Sequence, residues 1–166
     1  MEKPYDRDHA PDVHLLAAWF VLGSLPDELP WWAAQWLVEG HDGPALRELA
    51  GLNERDPRAV GDLLPEAMAE MGIALPANDI DATNVLFCDL AWRCLSGQLD
   101  ERQVGQKVTE VLAVTNYDSA ATHLPLGQLY WIEDEWQAGW GRPAAELEAE
   151  VRKQCTAQLA ATSTTT

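Results

Sequence analysis

The sequence predicts an all-α fold, a single-domain bundle of about seven or eight helices around a central apolar helix near 79–96. Three observations predict it. Apolar residues recur at three- and four-residue spacing along most of the chain, the period of a half-buried helix. Between these runs stand stop and start signals: a glycine after the last apolar residue, then Asp-Pro, Asp-Gly-Pro or a lone Asp before the next run. Two-residue alternation, the mark of a strand, is missing.

The first helix is expected over 11–22, where Val13, Leu16, Ala17 and Phe20 share a face and Gly23 stops the run. Asp27 caps a second over 28–39, closed by Gly40. Its core side carries Leu29, Trp32, Trp36 and Leu37, with Trp31 and Gln35 on another flank. Asp42 and Pro44 open a short third helix over 44–50, ahead of Gly51. Asp56 and Pro57 open the fourth, over 57–71, and Pro65 should kink or split it because proline removes one backbone donor. Gly72 ends it, 73–76 is an apolar linker, and a weak domain boundary falls near Pro76.

The fifth helix, over 79–96, is apolar nearly all round, so it should be enclosed by others. Its charges, Asp89 and Arg93, stand four apart with the acid first, the favourable order for a pair on one helix. Asp100 caps the sixth, over 101–114, with Val104, Val108, Val111 and Leu112 inward. Residues 116–125 read as a loop or broken turn, 126–138 as a seventh helix, and 144–160 as an eighth. The domain is expected to span 1–160, and the Thr/Ser-rich residues 161–166 to form a mobile tail.

Composition narrows the function classes. The chain of 166 residues carries 27 acidic against 11 basic side chains, a net charge of −16, together with eight tryptophans. Nucleic acid and anionic membrane surfaces are disfavoured, because both need a basic face. A basic protein partner is permitted and would be steered in by charge. The three cysteines, Cys88, Cys94 and Cys155, fit no metal spacing, and their odd count in apolar runs points to a reducing, cytoplasmic setting. The first residues carry no apolar signal core, and no apolar stretch approaches the 18 residues of a membrane span.

Catalytic signatures are absent. His9, His14, His41 and His123 fall in no zinc or di-iron helix motif. The cluster of aspartates and histidines between Tyr5 and His14 reads as a solvated arm rather than a metal site. His41, beside Asp42, reads as a capping-loop residue. No Gly-x-Ser-x-Gly elbow and no phosphate loop occurs. Cys155, near Arg152 and Lys153, is the one thiol worth testing as a nucleophile, with a structural role favoured. No cofactor and no metal is expected.

Two features remain as candidate sites. Trp31, Trp32 and Trp36 on the second helix and Trp131, Trp136 and Trp140 near the seventh exceed what one small core comfortably holds. Some should reach a partner, inside a rim of acids such as Glu28, Glu39, Glu133 and Glu135. Trp136 and Trp140, four apart, should share a helix face. Asp89 and Arg93 form either a buried structural tie or the lining of a pocket.

The segment Trp36-Leu37-Val38-Glu39-Gly40-His41-Asp42-Gly43-Pro44-Ala45-Leu46-Arg47-Glu48-Leu49-Ala50-Gly51-Leu52, continued through Val60, Leu63, Leu64 and Gly72, resembles small uncharacterised helical proteins of high-GC actinobacteria. The likeness covers about the first 75 residues. It implies a bacterial cytoplasmic origin and assigns no activity and no site residue.

The expectation that follows is a non-catalytic, acidic protein-binding module, such as an immunity or inhibitor protein for a basic effector. The rival is a small-molecule binder or enzyme whose helical pocket is lined by tryptophans, Asp89 and Arg93. A structural subunit, including a homo-oligomer, is the third reading.

Overall fold

Capping chemistry sets the helix starts in the computed structural model, which describes residues 12–53 and 56–163. Asp12, Asp56, Asp100 and Asp118 each accept a backbone N–H of the helix they open. Asp100 makes a full capping box: its carboxylate takes the Gln103 N–H at 2.8 Å, and the Asp100 N–H donates to Gln103 Oε1 at 2.9 Å. Among the described residues the chain is all-helical, with α1 (Val13–Val21), α2 (Leu29–Val38), α3 (Pro44–Ala50), α4 (Pro57–Glu70), α5 (Asp79–Leu95), α6 (Glu101–Val114), α7 (Ser119–His123), a 3₁₀ turn (Leu126–Leu129), α8 (Ile132–Ala138) and α9 (Ala144–Ser163).

The chain forms two compact units, Met1–Asn78 and Asp79–Thr166. The division follows the apolar linker in which the sequence placed a weak boundary near Pro76.

In the first unit, α3 packs on both α2 and α4. The core gathers Leu16 and Ala17 of α1, Leu29, Trp32 and Trp36 of α2, Leu46 and Leu49 of α3, and Leu64 and Met68 of α4. Trp32 and Trp36 are both closed off from solvent, so truncating either would cost about 3–5 kcal/mol. The α4 helix is not split at Pro65: it runs unbroken from Pro57 to Glu70. Its last turn does a second job. Gly43, the residue before α3, has no side chain to cap the new helix. The Glu70 carboxylate caps it from α4, accepting the Ala45 N–H at 2.9 Å and the Leu46 N–H at 3.0 Å. Arg47 then grips Asp42 through two bonds of 2.8 and 2.7 Å at the same junction.

In the second unit, α5 packs most extensively on α9, and also on α6 and α7. Its buried side carries Ala82, Thr83, Leu86, Phe87, Leu90, Ala91 and Cys94. The enclosure expected all round α5 stops short at its C-terminal end, where Trp92 and Leu95 are exposed. Gln158 of α9 is fully buried and fully used. Its Oε1 accepts the Leu126 N–H at 3.2 Å, and its Nε2 donates to Asn84 Oδ1 at 2.6 Å.

The expected seventh helix over 126–138 is in fact two elements, the 3₁₀ turn and α8. Gly127 explains the tighter winding: a Cβ there would stand 1.9 Å from the Ala121 carbonyl oxygen, so the turn seats backbone against backbone on α7. The α7 helix itself falls in the stretch expected to be a loop. At the end of α6, Asn116 and Tyr117 adopt φ values of 51° and 53°, a left-handed pair that closes the helix as the Tyr117 N–H reaches back to the Leu112 carbonyl at 2.8 Å. The α9 helix continues three residues beyond its expected end, and Thr162 Oγ1 lies 3.0 Å from Cys88 Sγ.

Candidate functional site

The α8–α9 connection builds the most distinctive surface of the second unit. Gly139, at φ 67°, ends α8 in a left-handed cap. Gly141, at φ 109°, turns the chain again, and Pro143 leads into α9. Trp140 stands between the two glycines and is 79% exposed. The expected helix face shared by Trp136 and Trp140 therefore does not form, because the helix stops at Ala138.

The loop is held in place from below. Glu135 Oε1 accepts the Arg142 backbone N–H at 3.0 Å and its Nε–H at 3.1 Å, and Glu135 Oε2 faces Nη2 at 3.4 Å. The Arg142 guanidinium lies over the Trp131 ring, 4.8 Å from its centroid. Hydrogen bonding from Arg142 holds the Glu135 carboxyl below the usual glutamate range. The same bonds raise the arginine, with smaller help from Glu146 and Glu150.

Charge around this loop is one-sided. Between 133 and 150 the chain carries six carboxylates and a single cation, Arg142, which is engaged within the loop. Glu133 bonds Gln137 at 3.1 Å and faces Arg102 at 3.9 Å. Asp134 and Glu146 are exposed, and among the described residues no ion pair engages them.

The other candidate residues divide by unit. In the first, Trp31 is 52% exposed while Trp32 and Trp36 belong to the core. Val38, one heptad on from Trp31, is also exposed. Of the expected acidic rim, Glu39 is exposed but Glu28 is buried, and Glu133 and Glu135 are occupied by Arg102 and Arg142. In the second unit, Trp131 and Trp136 are half-buried. Trp136 lies along Gly105 of α6, where an added Cβ would meet its Cζ3 at 3.4 Å.

Asp89 and Arg93 are linked, with Nη1 3.6 Å from Oδ2, but their side chains keep 27% and 36% of their exposure. A pair this open ranks with surface pairs, worth about 0.2–1 kcal/mol. It does not rank with enclosed pairs, whose breaking costs about 3–5 kcal/mol. The pair shares its open stripe with Trp92, an exposed tryptophan that sequence reasoning passed over. The stripe Val85, Asp89, Trp92, Ser96 has helical spacing, and its two polar members were the signal that this side faces water.

Among the described residues no group of three or more His, Cys, Asp or Glu side chains is placed to hold a metal ion. A shallow depression in the first unit is lined by Leu25, Pro26, Asp27, Pro57 and Val60. Cys94 and Cys155 are buried, and desolvation pushes both thiols up, the opposite of what a nucleophile needs. The cluster between Tyr5 and His14 lies mostly outside the described residues, and of its members Asp12 serves as the α1 cap. No described helix is long and apolar enough to cross a membrane. No protein-family model, no curated protein and no solved structure matches the chain.

Proposed function

We propose that the protein is a non-catalytic, acidic protein-binding module with a basic partner. The observation that carries this reading is Trp140, 79% exposed on a loop pinned by Glu135 and Arg142. An indole held in water on a fixed backbone has already lost much of the freedom that binding removes, which lowers the cost of docking it into a pocket. Tryptophan is also the residue most enriched among binding hot spots. The acids around it, Asp134 and Glu146 among them, would draw in a positive surface and speed its arrival. A concrete form of the proposal is an immunity or inhibitor protein of the bacterial cytoplasm that covers a basic effector, such as a nuclease.

The rival reading, a tryptophan-lined pocket, lacks comparable support. Trp32 and Trp36 fill the core of the first unit, and the Asp89–Arg93 pair stands at a half-open surface.

The test is affinity capture from the native host at low salt, run in parallel with wild type, Trp140→Ala and Trp31→Ala. The expected result is a stoichiometric basic protein on wild type, released as salt rises. Loss of a hot-spot tryptophan should weaken its binding by about 30-fold or more. Retention of the same partner at equal affinity by Trp140→Ala would remove the loop from the interface, and no partner at low salt would end the proposal.

A further inference from the structure

The outer face of α5 carries an apolar surface that the binding proposal does not use. Trp92 is 55% exposed and Leu95 46%. Val85 and Cys88 precede them by seven residues each, and both are half-buried. The spacing 85, 88, 92, 95 is that of an a/d seam, the stripe by which one helix seats against another. Charge on this face is unlike that of the whole chain. The protein carries a net charge of −16, yet from Ala82 to Leu99 its charged side chains are Asp89 and Arg93, one of each sign. A basic partner drawn by the carboxylates of the α8–α9 loop meets no excess of acid on this stretch.

We propose that the protein forms an antiparallel homodimer through this face of α5, with Trp92 at its centre and Asp89 paired to the partner's Arg93. A face with one acid and one base along its length is complementary to a copy of itself turned end for end. About a two-fold axis passing near Ala91, positions 89 and 93 exchange places. Asp89 then lies across from the partner's Arg93, and Arg93 from the partner's Asp89.

Helical phase supports this register. At 3.6 residues per turn, Asp89 and Arg93 fall on one flank of Trp92, and Cys88 and Leu95 on the other. Such an axis brings like flanks together, so the charges meet charges and Leu95 falls beside the partner's Cys88. Trp92 stands next to the axis, at the centre of the contact, where tryptophan contributes most. Within one chain Arg93 already faces Asp89 at 3.6 Å, and both side chains stay partly open. A guanidinium has five N–H donors and a carboxylate about four acceptor positions, so each can take a second partner.

Net charge sets the conditions. Two copies at −16 each repel at long range. Salt screens that repulsion, the Debye length falling from about 30 Å at 0.01 M to about 3 Å at 1 M. The apolar contact of Trp92 and Leu95 is not screened. Self-association therefore strengthens as salt rises, the opposite of the response expected of a basic partner at the α8–α9 loop.

The experiment is analytical ultracentrifugation of the full-length protein over graded concentration, at low and at high salt, with circular dichroism to confirm that each variant is folded. The expected result for wild type is a mass that moves from one chain to two, at lower protein concentration in high salt. Trp92→Ala should raise the dissociation constant by about 30-fold or more. Leu95→Ser, a smaller change on the same seam, should shift it in the same direction. Asp89→Arg and Arg93→Asp each set like charges across the axis and should sediment as single chains. Mixed in equal amounts, the two should regain the dimer, because each offers the sign the other lacks. A single chain at every concentration and salt would overturn the proposal on wild type alone. A dimer indifferent to both Trp92→Ala and Leu95→Ser, or folded charge variants whose mixture stays monomeric, would overturn it equally.

Discussion

The α3 cap offers a quantitative test of how the first unit is held. Glu70 accepts two N–H groups of α3 at 2.9 and 3.0 Å, in a partly buried position. A hydrogen bond to a charged group is worth about 1.5–3 kcal/mol, but water recovers part of it at a helix end, where losing a cap costs about 0.5–2 kcal/mol. With two bonds lost, Glu70→Ala should cost about 2 kcal/mol. Gly43→Ala should cost about as much by another route. Its Cβ would stand 2.1 Å from Glu70 Oε2 and 2.3 Å from Cδ, so the carboxylate must leave the cap. The backbone itself adds no strain, since φ at Gly43 is 168°, an extended value open to any residue. In the Glu70→Ala background the carboxylate is already gone. What remains is a Cβ–Cβ approach of 2.9 Å, relieved by a small shift at about 0.5–1 kcal/mol. The double variant should therefore lose about 2.5–3 kcal/mol where additivity requires about 4, a coupling of at least 1 kcal/mol. Urea unfolding of the four proteins, followed by the fluorescence of the core tryptophans, measures the cycle. Additivity within about 0.5 kcal/mol would refute the claim that both substitutions act on one cap.

Two further outcomes are expected. Gly127→Ala should destabilise the second unit by about 3 kcal/mol or more, because its Cβ would meet the Ala121 carbonyl oxygen at 1.9 Å and backbone cannot rotate away; Gly61→Ala, whose Cβ would meet only Leu25 Cδ1 at 3.5 Å, is the tolerated comparison in thermal melts. For Glu135, whose carboxyl is held low by its hydrogen bonds to Arg142, the pairing adds stability above the ordinary glutamate range and loses it as pH falls through the lowered midpoint. An NMR titration should place the Glu135 midpoint below those of exposed glutamates, and Arg142→Gln should bring it back up; equal midpoints in both proteins would contradict the pinned loop.

Much of the fold was legible because its helices are punctuated locally. Residues 44–50 and 101–114 match α3 and α6 to the residue, and both are bounded by signals within the chain itself, Pro44 and Gly51 in one case and the Asp100 box in the other. What escaped was set by contacts between distant segments. The break inside 126–138 depends on Gly127 meeting α7 and on Gln158 taking the Leu126 N–H, neither of which has a periodic signature. The Glu70 cap joins residues 24 and 25 positions apart, a separation with no local signature in the sequence. Among the candidate residues, Trp32 and Trp36 were separable from Trp31 by helical phase alone, and burial follows that phase. Trp140 was not, because its position turns on the left-handed Gly139, and a glycine does not announce the angle it adopts. Asp89 and Arg93 were correctly paired by spacing, while their openness depends on which helices cover α5.

The buried amide of Gln158 has a consequence for the order in which the molecule is made. The core cluster of the first unit and the side chains packed against it run from Val13 to Leu75, so all of them are made before α5 begins. The second unit waits longer for its parts. The side-chain amide that ties the 3₁₀ turn and α5 together, accepting from one and donating to the other, arrives only with residue 158, and until then the Leu126 N–H and the Asn84 amide have no partner in α9. On the ribosome the residues of the first core are therefore complete well before the amide that joins Leu126 to Asn84.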